Sequence, residues 1–369
     1  MNINLIFTYG VSLKDWKLSG ILDRELEIYR RMVVNYGYEI NLITFGDNED
    51  ENILFDEKNI NIYPVYKYIK KTKSSILNFI FSFFIPFKLK RELKDTDLIK
   101  TNQLNGSWIG IILKYILKKP LIVRTGYNVY EFSKNEGKSK IKQLFYFLLT
   151  KYSIIFSDKY FVSSESDLNF LIKNFKNTEN IVLFPNWVDS LRYQDFKDRH
   201  SNKILSVGRL EDQKNYQFLI KKLSKSNIEI DIVGEGNKKE ELKKLAMEYQ
   251  VKINFLGKMN FFELQEIYKN YRVFVMPSLY EGNPKALLEA LASGCLVAAL
   301  RNKNISEIII HKKNGIIFNT KTDLSKELKK CLSSESVFNE LTEEGYSYIK
   351  KNNLIDLLLE KEIEVHQNL

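Results

Sequence analysis

The sequence is poor in the residues that build disulfide frameworks, zinc sites and histidine-based catalytic centres. Its 369 residues include two cysteines and three histidines, and no histidine occurs among residues 1–199. Cys295 and Cys331 lie far apart, and Cys295 stands in the apolar run GCLVAAL, which is typical of a buried thiol. A disulfide-stapled fold and a Cys/His zinc site are therefore excluded.

Other absences narrow the class of protein further. The first residues, MNINLIFTYG, lack the basic start and long apolar stretch of a signal peptide and predict a short strand, so we expect a cytoplasmic protein. No G-x-G-x-x-G follows an initial strand, which disfavours an NAD-dependent oxidoreductase. No internal repeat is found, and the length predicts two domains.

Positive charge is concentrated in one part of the chain. Of a formal net charge of +10, residues 67–151 contribute +13, from 18 Lys and Arg against 5 Asp and Glu, which leaves −3 for the rest. Such a surface attracts nucleic acid, anionic membrane or phosphorylated substrates. Because no recognised nucleic-acid module accompanies it, we expect no nucleic-acid partner.

Residues 67–94 combine this charge with apolar side chains. The segment KYIKKTKSSILNFIFSFFIPFKLKRELK holds eight basic residues and one acidic residue, and its apolar run contains Pro86 and is too short to span a bilayer. The pattern fits an interfacial helix on the cytoplasmic face of an anionic membrane. It fits an ordinary domain helix with a charged end equally well, and both alternatives stay open.

Short apolar runs alternate with segments of helical periodicity, notably the helical segments 20–37 and 140–156. This alternation predicts an α/β fold of two facing, doubly wound Rossmann-like domains, with parallel sheets and a ligand cleft at the carboxyl ends of the strands. The predicted strands are 2–8, 38–45, 97–101, 120–125, 159–164 and 180–185, then 203–208, 229–234, 252–257, 272–278, 295–300 and 315–318.

The stretch VGRLEDQKN (207–215) supplies two cations after a strand. Gly208 permits a tight turn, so Arg209 and Lys214 should project from a loop at the carboxyl edge of the sheet, near a helix start. A guanidinium, an ammonium and free backbone amides together suit a diphosphate. The alternative is a pair of solvated surface charges.

The stretch SLYEGNPKALLEALASG (278–294) carries two carboxylates that the predicted helix does not need. Asn283 is a good N-cap and Pro284 suits the first helical position. Glu281 precedes the helix, whereas Glu289 lies inside it among apolar neighbours, where vicinal hydroxyls of a ribose would pair it. The alternative for Glu289 is a solvent-facing helix residue.

A third stretch, ISEIIIHKKNGIIF, follows these two motifs within residues 203–318. In this order the three stretches resemble the donor-binding half of glycosyltransferase family 4. Members are retaining enzymes of the GT-B type with two facing Rossmann-like domains. The resemblance implies that Arg209 and Lys214 grip the donor diphosphate, that Glu281 lies beside the donor sugar and that Glu289 binds the ribose. It implies Arg209, Lys214 and Glu281 as the catalytic set, with further donor-binding residues at Gly208, Gly234, Lys258, Met259, Gly282, Asn283, Pro284, Lys285 and Ala286.

The resemblance also implies a division of labour along the chain. We expect an acceptor-binding domain at 1–190, a linker at 191–202, a donor-binding domain at 203–345 and a carboxyl-terminal helix, 346–369, that crosses back to the first domain. The expected partners are a nucleotide-diphosphate sugar and a saccharide or lipid-linked acceptor. A peripheral contact with anionic membrane is the further possibility that the pattern of residues 67–94 raises.

The acceptor half matches the family less well, because it lacks the Gly-Gly pair after the first strand and the mid-domain histidine. The candidates are Asp15, Lys17 and Gly20 in one segment, and Asn102, Asn105, Arg124 and Thr125 at two later strand ends. An arginine at such a position suits an acidic or phosphate-bearing acceptor.

Family members are proposed to react by front-face attack assisted by the leaving phosphate, which needs no protein base. The pair Asp95 and Asp97 precedes a predicted strand, at the end opposite to ligands, so we expect neither a protein-bound metal nor another cofactor. A sugar-nucleotide epimerase of the same fold and a non-catalytic sugar-nucleotide binder are the alternatives.

Overall fold

Two parallel sheets, one in each half of the chain, organise the fold. The computed structural model describes residues 1–189 and 199–369. The chain divides into two units, the first made of Met1–Phe184 with Leu359–Leu369 and the second of Pro185–Leu358. Within the described residues, no helix is both long enough and apolar enough to cross a membrane.

The first unit holds a seven-stranded sheet in the order β3-β2-β1-β4-β5-β6-β7. The strands are β1 (Asn2–Ile6), β2 (Glu39–Thr44), β3 (Ile60–Pro64), β4 (Leu98–Thr101), β5 (Leu121–Arg124), β6 (Lys159–Val162) and β7 (Ile181–Leu183). Its helices are α1 (Leu13–Leu18), α2 (Leu22–Tyr36), α3 (Asn48–Glu51), α4 (Ser75–Ser82), α5 (Ile85–Leu89), α6 (Ser107–Leu117), α7 (Val129–Asn135), α8 (Lys140–Phe156) and α9 (Glu165–Asn174), with a 3-10 turn at Val65–Lys67.

The second unit holds a six-stranded sheet in the order β10-β9-β8-β11-β12-β13. The strands are β8 (His200–Val207), β9 (Glu229–Val233), β10 (Ile253–Gly257), β11 (Tyr271–Met276), β12 (Leu296–Leu300) and β13 (Ile316–Phe318). The helices that follow are α10 (Tyr216–Lys222), α11 (Lys239–Glu248), α12 (Phe261–Tyr268), α13 (Lys285–Ala292), α14 (Ile305–Ile308), α15 (Leu324–Leu332), α16 (Glu335–Asn352) and α17 (Ile355–Gln367), with a 3-10 turn at Asp212–Lys214.

Strand composition explains why both sheets are parallel and covered on two faces. Every residue of β12, LVAAL, is buried, and so are the last four residues of β1 and the last five of β2. A strand that is apolar on both faces needs helices on both faces, which the crossovers of parallel strands supply. In each sheet the order reverses beside the first strand, at β1/β4 and at β8/β11, and ligands of such sheets bind outside the carboxyl ends at that point.

The predicted α/β class and the two Rossmann-like domains are confirmed, while several boundaries differ. The strand β3 was not predicted, although Asn59–Tyr63 alternates polar and apolar residues. The strand β8 begins at His200, inside the predicted linker 191–202, and the rest of that linker, 191–198, lies outside the described residues. The second unit begins at Pro185, and the last helix, α17, begins at Ile355.

A buried ion pair attaches the end of the chain to the first sheet. Lys100 on β4 donates to Glu362 on α17, and both side chains are almost completely buried. Tyr29 and Arg124 lie close enough to interact electrostatically with Lys100. Burial acts to raise the pKa of Glu362, but Lys100 and His366 outweigh it and lower the pKa to about 2.

Replacing Glu362 by Ala should lower the free energy of unfolding by about 3–5 kcal/mol, because Lys100 would stay buried without its partner. Urea unfolding at neutral pH measures the loss. The matched control is Glu360→Ala on the same helix, whose side chain is exposed and whose effect should stay within about 0.5 kcal/mol.

The same pair makes stability depend on acid. Since the folded-state pKa of Glu362 lies below its ordinary value of 4.5, the carboxylate stabilises the fold above that pH and the contribution is lost as the pH falls toward 2. The difference in stability between the wild type and Glu362→Gln should therefore shrink below pH 4.5. A difference that stays constant down to acid unfolding would contradict this assignment.

Candidate active site

The loop after β8 is held against the loop after β9 by two glycines. A Cβ on Gly234, whose φ is +143°, would lie 2.1 Å from the Gly208 carbonyl oxygen, and a Cβ on Gly236 would lie 2.4 Å from that of Leu210. The Leu210 amide donates to the Glu235 carbonyl at 2.9 Å. The turn GEG therefore shapes the loop that carries Arg209.

The loop after β8 is also tied to the loop after β11. The Leu279 amide donates to the Gln213 carbonyl at 2.9 Å, and the Gln213 side chain donates to the Tyr280 carbonyl at 2.9 Å. Asn215, in the left-handed region at φ 55°, donates from its side chain to the Pro277 carbonyl at 3.2 Å. Sequence reasoning missed Gln213 and Asn215, although the asparagine is of a type that tolerates this backbone conformation.

The result is a direct ion pair between the two predicted motifs. Lys214 Nζ lies 2.5 Å from Glu281 Oε1, and the two side chains are 15% and 8% exposed. The aliphatic part of Lys214 passes over Gly208, where a Cβ would lie 3.1 Å from its Cε. Burial raises the pKa of the neighbouring Tyr216 hydroxyl, and the Glu281 charge raises it further. This hydroxyl therefore stays protonated beside the pair.

Arg209, in the loop after β8, and Lys258, just after β10, are exposed cations. Arg209 is 68% exposed and pairs with Glu211 at 3.1 Å. Lys258 lies 3.5 Å from Glu235 in the GEG turn, and Met259 packs against the apolar core around α13. The guanidinium of Arg209 remains accessible to a ligand.

The start of α13 differs from the prediction. The helix begins at Lys285 with Pro284 as its N-cap residue, and no side chain caps it. Asn283 instead accepts the Asn186 amide on its Oδ1 at 2.9 Å, and its carbonyl accepts from Asn186 Nδ2 at 2.5 Å. The predicted N-cap role of Asn283 is wrong because a segment about a hundred residues earlier in the chain takes its side chain.

That earlier segment contributes a second contact to the helix start. Lys285 Nζ lies 4.2 Å from the centre of the Trp187 ring. Gly282 and Pro284 are buried, and Ala286 is half-buried. Asn186 and Trp187 belong to the segment LFPNWVD (183–189), and sequence reasoning assigned no site role to either residue.

Glu289 is a buried carboxylate, so the solvent-facing alternative is wrong. Its side chain is 5% exposed, and Tyr268 on α12 donates its hydroxyl to Glu289 Oε2 at 3.1 Å. The same hydroxyl lies 3.2 Å from the Ala286 carbonyl. An ionisable group kept in a buried position at the end of a sheet is typical of functional sites.

The acceptor candidates fall into two groups in the first unit. Asp15 caps α1 together with Ser12, Lys17 is exposed, and Gly20 has φ +74°. The N-terminus of α1 is already occupied by the buried Asp50, whose carboxylate accepts the amides of Leu13 and Lys14 at 2.9 and 3.0 Å. The helix start is therefore closed to a substrate anion.

The second group lies at the carboxyl ends of β4 and β5. Asn102, Arg124 and Thr125 are buried, and Arg124 lies close to Lys100. Arg124, the last residue of β5, is therefore a buried cation and not a surface side chain. Gln103, which sequence reasoning missed, accepts the Gly126 amide at 2.9 Å and joins the two loops, and Asn105 accepts the Tyr9 amide on its carbonyl at 3.0 Å.

Asp97 accepts the Asn2 amide at 2.8 Å, at the ends where β1 and β4 begin. In residues 1–189 and 199–369, no group of three or more His, Cys, Asp or Glu side chains could hold a metal ion. His311 accepts the Ile317 amide on Nδ1 at 3.2 Å, which is a structural contact.

The family described as "Glycosyl transferases group 1" matches residues 189–348. An uncharacterized glycosyltransferase of Haemophilus influenzae is 27% identical over 289 residues, 76% of this chain and 77% of its own. The amylovoran biosynthesis glycosyltransferase AmsD of Erwinia amylovora is 28% identical over 282 residues, 74% of each chain.

The family match and these relatives support a glycosyltransferase family 4-like assignment of the chain. An Escherichia coli relative, the UDP-Gal:alpha-D-GlcNAc-diphosphoundecaprenol alpha-1,3-galactosyltransferase, is 26% identical over 312 residues, 78% of each chain. Sucrose-phosphate synthase from Thermosynechococcus elongatus superposes with a TM-score of 0.80 at 16% identity, over 100% of this chain and 98% of that one. The fold is thus of the GT-B type, and the predicted family is confirmed.

Replacing Gly234 by Ala should lower the free energy of unfolding by about 2–4 kcal/mol and weaken ligand binding, because its Cβ would push the Gly208 carbonyl away. Urea unfolding measures the loss. The matched control is Gly257→Ala, which has φ +77° but no atom within 4 Å of the new Cβ. The control variant should lose only roughly 1–2 kcal/mol, which is the cost of an alanine in the left-handed backbone region. Equal losses in the two variants would show that the close approach to Gly208 is unimportant.

Proposed function

We propose that this glycosyltransferase retains the anomeric configuration while it moves a hexose from a nucleotide-diphosphate sugar to a lipid-linked saccharide, in the biosynthesis of surface polysaccharide. The observation that carries the proposal is the buried Lys214–Glu281 pair, which lies at the carboxyl ends of two adjacent strands where the strand order reverses. A second sheet of the same order in the first unit would take the acceptor at its own carboxyl edge.

The donor diphosphate would meet cations at this edge. Arg209 offers a planar fork that suits two phosphate oxygens, and Lys214 offers a compact ammonium. The amides at the start of α13 add donors and the positive end of the helix dipole. Lys214 is already paired with Glu281. An incoming phosphate would therefore share the Lys214 ammonium with the Glu281 carboxylate.

The two carboxylates would bind hydroxyl groups. Glu281, beside Lys214, would accept from hydroxyls of the donor sugar. Glu289, held on one oxygen by Tyr268, would accept from the two hydroxyls of the ribose. Both roles are those that the resemblance to glycosyltransferase family 4 implies for two carboxylates eight residues apart in the chain.

The reaction would proceed on one face of the sugar. The bond from the anomeric carbon to the phosphate oxygen breaks, the acceptor oxygen bonds to that carbon on the same face, and the acceptor proton passes to the leaving phosphate oxygen. The negative charge that develops on the phosphate is stabilised by Arg209, Lys214 and the α13 amides, as preorganised dipoles and cations do in general. No protein base and no metal ion enters this scheme.

The acceptor class is proposed from relatives and from charge. The Escherichia coli relative acts, by its name, on a diphosphoundecaprenol-linked sugar, and AmsD acts in amylovoran biosynthesis. The excess of cations in residues 67–151 suits an acceptor that carries a diphosphate and lies at a membrane. We accordingly propose a cytoplasmic enzyme with a peripheral position on the membrane.

A nucleoside diphosphate should raise the melting temperature of the wild type by about 5 °C at about 100 times its Kd. Arg209→Ala and Glu289→Ala should each lose most of that increase, because they remove a phosphate and a ribose contact. The control is Lys252→Ala, a cation that is 80% exposed just before β10, at the opposite edge of the sheet. If UDP, GDP, ADP and TDP all leave the wild type unshifted, the donor assignment fails.

The product should have the same anomeric configuration as the donor sugar, because bond making and bond breaking share one face. Proton NMR of the anomeric signal in the isolated product gives the configuration directly. We expect transfer to continue in the presence of EDTA, and Glu281→Gln to abolish most of it. An inverted product would rule out the front-face scheme, and free sugar or an epimerised donor without a transferred product would favour the epimerase.

A further inference from the structure

The helix α8 carries its apolar stripe on the outside. Its exposed apolar side chains recur at positions i, i+3, i+4, i+7, i+11 and i+14, which span an arc of only about 100° at 3.6 residues per turn. Ile141 is 82% exposed and Leu144 is 57% exposed. The complete stripe is Ile141, Leu144, Phe145, Leu148, Tyr152 and Ile155.

The side of α8 opposite the stripe is buried. Its buried residues are Gln143, Leu149, Thr150, Ser153 and Ile154. Ser153 Oγ lies 2.7 Å from Ser107 Oγ on α6, which ties this side of α8 to a neighbouring helix. Turning the apolar stripe inward would expose Leu149 and Ile154 and would break the contact with Ser107, so the outward stripe is a built feature of the first unit.

The stripe continues onto α4 and α5. Phe79 on α4 meets Phe145 on α8 edge to face, with ring centres 5.9 Å apart. Further exposed apolar side chains of α4, α5 and the residues between them are Ile76, Leu77, Ile80, Phe83, Phe84 and Phe87. We call these side chains and the α8 stripe together the α4–α8 face.

Cations border the α4–α8 face. Lys140, Lys142 and Lys151 flank the stripe on α8, and all three are exposed. The segment around α4 and α5 adds exposed cations against a single acidic residue, Glu92. These cations are Lys70, Lys71, Lys73, Lys88, Lys90, Arg91 and Lys94.

An aromatic cluster joins the face to the carboxyl edge of the first sheet. Tyr9, three residues beyond the end of β1, has its ring centre 6.0 Å from that of Phe79 and 5.3 Å from that of Trp108. Phe45, just after β2, lies 5.0 Å from Tyr9. Whatever covers the face therefore lies beside the edge where the acceptor is proposed to bind.

We propose that the α4–α8 face docks on an anionic phospholipid bilayer, with the α8 stripe in the interfacial layer and the cations on the headgroups. Apolar side chains flanked by lysine and arginine are what such a surface binds. A second copy of this chain fits worse, because a two-fold contact would bring the same cations together. Docking on the bilayer does not depend on the proposed function. Only the further step rests on it, namely that the bilayer would carry the lipid-linked acceptor to the edge of the sheet beside Tyr9.

The test is co-sedimentation of the full chain with vesicles of phosphatidylcholine, with and without phosphatidylglycerol. We expect binding to the anionic vesicles, weakened by salt. The variant Ile141→Ser/Leu144→Ser/Leu148→Ser should lose at least about tenfold in partitioning, because three inserted side chains are removed. Its control is Val34→Ser/Phe55→Ser, which replaces side chains that are 80% and 84% exposed elsewhere in the first unit and should bind as the wild type does.

A charge variant separates the two contributions. Lys140→Glu/Lys142→Glu/Lys151→Glu should lose binding to anionic vesicles, and the stripe variant should also lose binding at low salt. Equal vesicle binding by the wild type and both variants would overturn the proposal. So would a wild-type dimer in sedimentation equilibrium that the stripe variant converts to monomer, since a second copy would then occupy the face.

Failure here is distinguishable from failure of the proposed function. Both variants lie outside the donor loops, so their stabilisation by a nucleoside diphosphate should equal that of the wild type. A variant that loses vesicle binding but keeps nucleotide binding shows an effect of the α4–α8 face alone. If the wild type binds anionic vesicles but no nucleotide, the face stands and the transferase scheme fails.

Discussion

The pairing of β8 with β11 is the constraint on which the donor side of this protein depends. These neighbouring strands are far apart in the chain and run parallel, so the loops that follow them, 208–215 and 277–284, meet at one edge of the sheet. Lys214 and Glu281 then lie 2.5 Å apart, and hydrogen bonds from Gln213 and Asn215 fix the two loops to each other. Without that strand order, neither motif would have a partner.

Buried charge is used differently in the two units. In the second unit the buried carboxylates Glu281 and Glu289 lie in the loop and helix that follow β11, where the donor is proposed to bind. In the first unit Lys100 and Glu362 satisfy each other and fasten α17 to β4. The Lys100–Glu362 pair thus joins a helix to a strand, whereas the Lys214–Glu281 pair joins two loops at the carboxyl edge of a sheet.

The distribution of surface charge and apolar area fits a transferase that works next to a lipid. The first unit holds the basic region 67–151 and the outward stripe of α8, and the second holds the donor loops. Stabilising a leaving diphosphate requires cations at a strand end, whereas holding a lipid-linked acceptor requires apolar side chains with cations around them. In the proposed function, these two requirements fall to separate units of the chain.

The sequence by itself determined the class of fold, the helix 140–156 and the order of the donor motifs, because apolar runs and helical periodicity are local properties. It missed β3, whose buried and exposed residues do not alternate regularly. It also predicted Asn283 as the N-cap of α13, whereas the Asn283 side chain accepts the Asn186 amide. Only the tertiary structure decided which polar groups meet, as Lys214 meets Glu281 and Asn186 meets Asn283, and that Arg124 is buried. It alone decided that the α8 stripe faces outward. These outcomes depend on contacts between residues far apart in the chain, which no local pattern records.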